Sequence, residues 1–313
     1  SRVPPIPTNA SAGSGLRTRT RFGKGVARSG RFVSSAPGFP PGHPEMQWRE
    51  TMVSIQGPVV ADWQQLFTSS WNKSTQQTLS LPRLQAVEHS AAQRGRITVN
   101  DIERYSEVLL SLTRHIAHAR VRVWFATAYF VPSWRIRRAL KRAAKAGIDV
   151  RLLLPGPITD HPGVRYISHR LYGRLMKNGV RIFEYQPRFM HAKSVLCDDW
   201  VAIGSSNFDR WNLRRNLEAN QEIDDPTIAA SARQLFEADF VEALEITPQA
   251  WRQRPWHQRV VQWFWGRIEV MLDKDDVTRE TLTRLDARLT DLLGPIRDVA
   301  SDLGLVRIPS RLT

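Results

Sequence analysis

The sequence predicts an α/β fold, a mixed sheet flanked by helices, and three observations carry that prediction. From residue 121 onward, short apolar strands alternate with segments of amphipathic helical spacing. The helical segments end on turn signals, Gly147 after the first and Asn178-Gly179 after the second. Because the helices fall between the strands, they must cover the sheet. With 313 residues, 42% of them hydrophobic and 24% charged, the chain can bury a domain-sized core.

The elements follow in order. Residues 1–47 are rich in Gly, Ser, Pro and Arg without periodicity, and read as a disordered or atypical N-terminal segment. Order is expected from Trp48. Residues 52–56 alternate as a strand, Gly57-Pro58 punctuates it, and residues 60–71 have helical spacing. Residues 72–100 are polar and carry no clear pattern. A capping-type start at Asn100 opens a helix to about His118, with Val108, Leu112 and Ile116 on its apolar side. Strands are expected at 121–126, 149–154 and 180–185, with helices at 136–146 and 164–177 between them. Residues 191–197 and 200–203 form a hairpin turned by Asp198-Asp199, and 228–243 is a helix. Apolar positions from Leu282 to Leu303 then repeat in threes and fours, as in a coiled-coil seam, but Gly294-Pro295 interrupts them. Two shorter helices packed on the domain are expected there, with self-association as the other reading.

Charge narrows the partners. Lys and Arg number 45 against 30 Asp and Glu, a formal +15, which favours phosphate-bearing surfaces, nucleic acid and anionic lipid alike. A single cysteine, Cys197, rules out an intrachain disulfide and argues against an oxidised scaffold. No run approaches the roughly 18 apolar residues of a membrane span. The first residue is Ser1, so the chain reads as processed or truncated. Trp256, Trp263, Phe264 and Trp265 beside Arg254, Arg259 and Arg267 suit an amphipathic interfacial helix, with an ordinary packing helix as the alternative.

The chemistry lies in residues 191–207, HAKSVLCDDWVAIGSSN, with the pattern H-x-K-x4-D-x5-G-S-x-N. His191 and Lys193, two apart on a strand, leave the same face. The hairpin returns to Gly204-Ser205-Ser206-Asn207 and brings the Ser205 hydroxyl and Asn207 amide back beside His191. An imidazole, an ammonium and neutral donors around one point suit a tetrahedral phosphate. Histidine can attack phosphorus and leave again, dividing one difficult step into two. Lys and Asn supply the electrostatic stabilisation, and no His/Cys/carboxylate set has metal-ligand spacing, so no metal or cofactor is expected. A lone strand histidine is usually structural; Lys193 two residues on changes that, since burying both groups unused would be costly.

This pattern is the HKD signature, and over about residues 48–245 the chain resembles the phospholipase D superfamily. The segments AYFVPSWRIRRALKRAAKAGIDVRLLLPG, ITDHP and GVRIFEYQPRFMHAK resemble bacterial cardiolipin synthases and related proteins. The resemblance implies a phospholipase D-like α/β sandwich of two pseudo-symmetric halves, each giving one HKD motif to a shared site. It implies that His191 is catalytic, that Lys193 and Asn207 bind phosphate, and that Ser205 assists. Asp198 supplies the motif's last letter and is counted with the catalytic set. Yet it lies about 23 Å of extended chain from His191, where it would turn the hairpin or pair with a base. Glu218, in RRNLEANQE, is implied as the acid orienting His191, with Glu222 as runner-up; such a carboxylate fixes the imidazole tautomer. Tyr129, Phe130 and Pro132, and the Asp160-His161 pair, follow strand ends where open α/β sheets build their sites. Of these, Tyr129, Asp160 and His161 are candidate substrate-binding residues.

In-line displacement needs a nucleophile and a proton donor on opposite sides of phosphorus, and the family supplies two histidines. This sequence shows one H-x-K. WRETMVSIQGPVVADWQQLF, from Trp48, resembles the stretch that follows the first motif in two-motif members, and makes Glu50 the counterpart of Glu218. The expected organisation is an atypical segment (1–47), a remnant of an incomplete first half (48–100), a catalytic second half (101–245) and a helical C-terminal extension (246–313). A truncated or frame-disrupted product is one reading of it; two chains pairing as a homodimer, each giving one motif, is another. The isolated monomer is expected to be inactive or weak. The implied function is phosphatidyl transfer of the cardiolipin-synthase type. Phosphatidylglycerol or a similar phospholipid would donate its phosphatidyl group through a phosphohistidine, at an anionic membrane surface. The location would be peripheral on a bacterial cytoplasmic membrane, or cytoplasmic. Hydrolysis to phosphatidic acid, a nuclease acting on nucleic acid (the less favoured), and a non-catalytic membrane-binding remnant are the alternatives.

Overall fold

The computed structural model describes residues 31–33, 48–55, 57–75, 78–79, 81, 94–100, 107–209, 216–256, 258–260 and 262–263. In chain order the elements are β1 (Arg31–Val33), β2 (Met52–Ser54), α1 (Val59–Thr75), β3 (Arg94–Asn100), α2 (Glu107–His118), β4 (Arg122–Ala126), α3 (Trp134–Lys145), β5 (Asp149–Pro155), α4 (Pro162–Met176), β6 (Arg181–Tyr185), β7 (Ser194–Cys197), β8 (Trp200–Gly204), β9 (Glu218–Asp224), α5 (Pro226–Val241), β10 (Ala243–Glu245) and α6 (Pro248–Gln253).

Eight strands form one mixed sheet in the order β10-β6-β5-β4-β7-β8-β9-β3, while β1 and β2 pair separately. The pairs β4–β5 and β5–β6 are parallel, and every other pair in the large sheet is antiparallel. The parallel part comes from the β-α-β crossovers, which α3 and α4 make. The antiparallel part comes from the β7–β8–β9 meander that carries the histidine motif.

Alternation along the central strands sorts the core into two layers. Val123 and Phe125 of β4 and Leu152 and Leu154 of β5 pack with Leu112, Ile136, Leu140 and Tyr172 of α2, α3 and α4. Trp124, Leu153 and Val201 point the other way and pack with Ile228, Leu235 and Phe236 of α5. Burial on both faces is why these strands read as continuous apolar runs.

Local chemistry sets the helix ends. Ser133 accepts from the backbone N–H of Ile136 at the start of α3, and Ile136, Leu140 and Ala143 form the buried face. The chain leaves α3 through Gly147 at φ 87°, a conformation that side chains with a Cβ resist. Asp225 caps α5 by accepting from Thr227 N and Ile228 N, both at 2.9 Å, and Pro226 takes a first-turn position that needs no N–H partner.

Four expectations change. Asn100 closes β3, opposite Glu218 of β9, and the described helix begins at Glu107. Strand β3 falls in the stretch without a readable pattern, and β9 was not expected at all. The strand expected from residue 191 begins at Ser194, so His191 and Lys193 precede it. Within the N-terminal segment expected to lack order, Arg31–Val33 forms a strand on β2. The rest of residues 1–47, and the seam from residue 282, lie outside the described residues, as do Phe264, Trp265 and Arg267. Cys197 is buried as a free thiol. No helix among the described residues is long and apolar enough to cross a membrane.

Candidate active site

The hairpin sets the site's frame. Its register runs from Cys197 opposite Trp200 to Ser194 opposite Ile203, and Gly204 N donates to Lys193 O at 3.3 Å just beyond. Residues 191–193 therefore run alongside 204–206. On the other side, Ser205 N donates to Ala219 O at 3.1 Å, which extends the β8–β9 ladder. The approach is close enough to require a glycine: a Cβ on Gly204 would stand 2.2 Å from both Ala219 O and Asn220 Oδ1.

A segment distant in sequence completes this end of the sheet. Arg49 N donates to Phe189 O at 2.7 Å, and His191 N donates to Arg49 O at 2.9 Å, so residues 48–50 run parallel to 189–191. Side chains alternate along the segment. Arg49 is buried and forms a two-pronged ion pair with Asp239 of α5, Nε to Oδ1 and Nη2 to Oδ2, both 2.7 Å. Burial raises the Asp239 carboxyl above its usual range, against the pull of the Arg49 charge. The next residue, Glu50, turns to His191, whose Nδ1–H donates to its carboxylate.

This overturns the expected orienting acid. Glu218 instead accepts a hydrogen bond from Ser205 Oγ, and Asn216 Nδ2 reaches its second oxygen at 3.4 Å. Glu222 accepts from Arg96 Nε at 3.0 Å and is buried. The carboxylate on His191 comes from the N-terminal segment, 141 positions away.

The other predicted residues divide. Lys193 is buried, and its Nζ donates to the backbone carbonyl of His191. Asn207 is buried, and its Oδ1 has no hydrogen-bond partner among the described residues. Tyr129 OH donates to Asp160 Oδ2 at 2.5 Å, and His161 Nε2 lies 3.7 Å from the same oxygen. This trio reaches His191 through aromatic contacts: Tyr129 to Phe189 at 6.4 Å between ring centroids, and Phe189 to His191 at 5.5 Å. Trp48 lies against the imidazole at 4.5 Å. A small concavity is lined by Tyr129, His161, Arg165, Ser168 and Tyr172.

Asp198 does not belong with this group. It sits in the tight turn at the opposite end of the hairpin with φ 51°. Its carboxylate accepts from Arg120 N at 2.7 Å, Val121 N at 3.0 Å and Arg122 N at 2.8 Å. The motif's aspartate thus fastens the entry of β4 to the β7–β8 turn. Sequence reasoning did not single out Arg49, Asp239, Phe189 or Trp48 as site builders. The available signal was the W-R-E run, read only as a counterpart of the second-half acid.

The family model for the cardiolipin synthase, phospholipase D-like domain matches residues 112–240. Cardiolipin synthase A of Pseudomonas aeruginosa is 33% identical over 252 residues, which cover 76% of this chain and 51% of that protein. Cardiolipin synthase 2 of Bacillus anthracis is 34% identical over 223 residues, 69% of this chain and 43% of that protein. The chain spans about half the length of the curated relatives it matches. Among solved structures, Nuc of Salmonella typhimurium, a phospholipase D family member, aligns at 19% identity with a TM-score of 0.43, over 50% of this chain and 99% of that one.

Proposed function

Because this chain belongs to the phospholipase D superfamily, we propose that it carries one catalytic half of a cardiolipin-synthase-type phosphatidyltransferase. In this reading residues 48–100 are the remnant of a first half, 101–245 the second half, and 246–313 an extension. The observation that carries the proposal is the His191–Glu50 pair. A carboxylate on Nδ1 fixes the tautomer that leaves Nε2 as the nucleophile, and it stabilises the cation once phosphorus is bound.

The reaction balances with phosphatidylglycerol as donor. Nε2 of His191 attacks phosphorus, the phosphorus–oxygen bond to the headgroup glycerol breaks, and that oxygen takes a proton and leaves as glycerol. The hydroxyl of a second phosphatidylglycerol then attacks phosphorus, gives up its proton and releases the imidazole. Lys193 and Asn207 are assigned to the non-bridging oxygens, with Ser205 assisting. Tyr129, Asp160 and His161 are assigned to the headgroup. The chemistry calls for no cofactor.

The leaving oxygen needs a proton from the side of phosphorus opposite His191. We assign that task to a second imidazole, from a first half or from a second copy of the chain. Glu218 is its orienting acid in this proposal. Glu50 comes from the first-half remnant and holds the histidine of the second half. By pseudo-symmetry Glu218, buried on the second half's own strand, would hold the histidine of a first half. The chain alone is then weak, and works peripherally on the cytoplasmic membrane of a bacterium.

Labelled phosphatidylglycerol in detergent micelles tests the reading. Wild type should form cardiolipin and glycerol, faster when a polypeptide bearing a first motif is added. His191→Ala should lower turnover by about a thousandfold or more. Phosphatidic acid as sole product would mean hydrolysis, and no product under either condition would mean a non-catalytic remnant.

A further inference from the structure

The two faces of the sheet differ in what they show to solvent. Helices α3 and α4 contain no Asp or Glu, and they expose Arg135, Arg138, Arg142, Lys145, Arg170 and Arg174. The α5 side instead exposes Glu237, with Asp224 and Glu242 at its two ends.

Beyond α6 the chain continues over the α4 side with helical backbone at residues 256, 258–260 and 262–263. Its inner side is fixed: Gln262 is buried, its Nε2 donates to His169 Nδ1 at 3.3 Å, and its Oε1 accepts from Arg254 Nε at 3.2 Å. The opposite side therefore faces out. Trp256, Val260 and Trp263 stand at i, i+4 and i+7, one helical stripe, with exposures of 76%, 53% and 63%. Trp134, at the first turn of α3, is 59% exposed and carries the Arg138 guanidinium 4.9 Å above its ring. It follows the C-terminal end of β4, where Ala126 pairs with Ser194, so it stands at the sheet end that presents His191.

We infer that this helical face docks on a bilayer surface rich in anionic phospholipid. Trp256, Val260 and Trp263 enter the headgroup–acyl boundary, and the arginines of α3 and α4 meet headgroup phosphates. The inference deepens the phosphatidyl-transfer reading and rests on it for the lipid's identity. Charge complementarity alone would fit nucleic acid. The apolar stripe decides for lipid, because a phosphate backbone offers it nothing, whereas an amphipathic interfacial helix combines tryptophan with flanking cations. Each basic residue near an anionic surface contributes about 1 kcal/mol, or roughly fivefold in partition.

Co-sedimentation of the full chain with phosphatidylcholine vesicles, with and without phosphatidylglycerol, tests this. Wild type should sediment with the phosphatidylglycerol vesicles and come off in salt. Arg138→Glu with Arg142→Glu should lower partition by roughly twenty-five-fold or more. Trp256→Ala with Trp263→Ala should weaken binding and leave its salt dependence, while Arg233→Glu on α5 should change partition far less. Circular dichroism melts check folding, and Arg138→Gln with Arg142→Gln replaces the reversals if they fail to fold.

Absence of vesicle binding overturns the inference, as does equal loss in the α5 variant. So does an oligonucleotide that displaces vesicles and depends on the same arginines, or a dimer that the tryptophan substitutions dissociate. Turnover in micelles without vesicle binding would sink docking alone. Vesicle binding without micellar turnover would sink the chemistry and leave docking standing.

Discussion

His191 and His169 each meet a carboxylate, Glu50 in one case and Glu184 in the other, and the surroundings give the two pairs opposite roles. The Glu184 pair is sealed, with side-chain exposures of 7% and 6%, against 22% and 19% for the His191 pair. Glu184 accepts from Arg165 Nη2 at 2.6 Å, from His169 Nε2 at 2.9 Å and from Tyr172 OH at 3.2 Å, and Gln262 takes the other ring nitrogen of His169. That cluster is saturated and ties β6, α4 and the C-terminal segment together. His191 hydrogen-bonds through Nδ1, and no hydrogen bond engages its Nε2 among the described residues. The second ring nitrogen separates a structural histidine from a candidate nucleophile.

The largest effect that could break this comparison is on stability. Glu184→Ala leaves the half-buried Arg165 and the buried His169 and Tyr172 donors without their common acceptor, and should cost about 3–5 kcal/mol in urea unfolding. Glu50→Ala removes a partly exposed pair, and should cost about 1 kcal/mol or less while turnover falls. Equal losses of stability would mean that both pairs are scaffold.

Glu50→Gln sharpens the chemical side. It keeps the shape and removes the charge, and should lower phosphatidylglycerol turnover by about a hundredfold. The nitrogen chemical shifts of His191 should change with it, because Nδ1 loses its anionic acceptor. Glu218→Gln should leave those shifts as they are in the isolated chain. The reverse result would restore Glu218 as the orienting acid.

Asp198→Ala is the next smaller test. It removes the acceptor of three backbone N–H groups at the entry of β4, and should cost about 1–3 kcal/mol with turnover per folded molecule unchanged. A fall in turnover without loss of stability would return the motif's aspartate to the chemistry.

What was legible in the sequence follows from where the polar groups sit. Strands β4 to β8 and helices α3, α4 and α5 announce themselves because their buried positions are apolar and periodic. Strand β9, EANQEID, does not, because it buries Asn220, Gln221 and Glu222. Gln221 accepts from Trp63 Nε1 at 2.8 Å and Glu222 accepts from Arg96, so partners from α1 and β3 make that burial tolerable. Nothing in seven residues of β9 reveals those partners. The site divides in the same way. His191, Lys193 and Asn207 belong to one hairpin motif, and local spacing was enough to single them out. The carboxylate of His191 comes from another segment through a strand-like pairing and a buried Arg49–Asp239 anchor. The resemblance pointed to Glu50 as an orienting acid but gave no reason for it to reach His191.

The smallest effect is the pH dependence of the sealed pair, and its sign follows from the two shifts. Burial lowers the pKa of His169 below the usual 6.5, outweighing its hydrogen bond to Glu184. As pH falls through 6.5, the unfolded chain takes up a proton that the folded chain refuses, so stability begins to decline there. For Glu184, burial alone would raise the pKa above 4.5, but the His169 hydrogen bond and the Arg165 charge pull it lower. Its contribution is present above 4.5 and is lost only as pH falls through the lower folded value. Asp239, with its raised pKa, works in the opposite sense. The window between 6.5 and 4.5 therefore reports chiefly on His169 once wild type is compared with His169→Gln, since the Asp239 contribution is common to both. Thermal melts should show the wild-type midpoint falling across that window and a flatter line for the variant. Parallel lines would mean that His169 accepts its proton inside the fold.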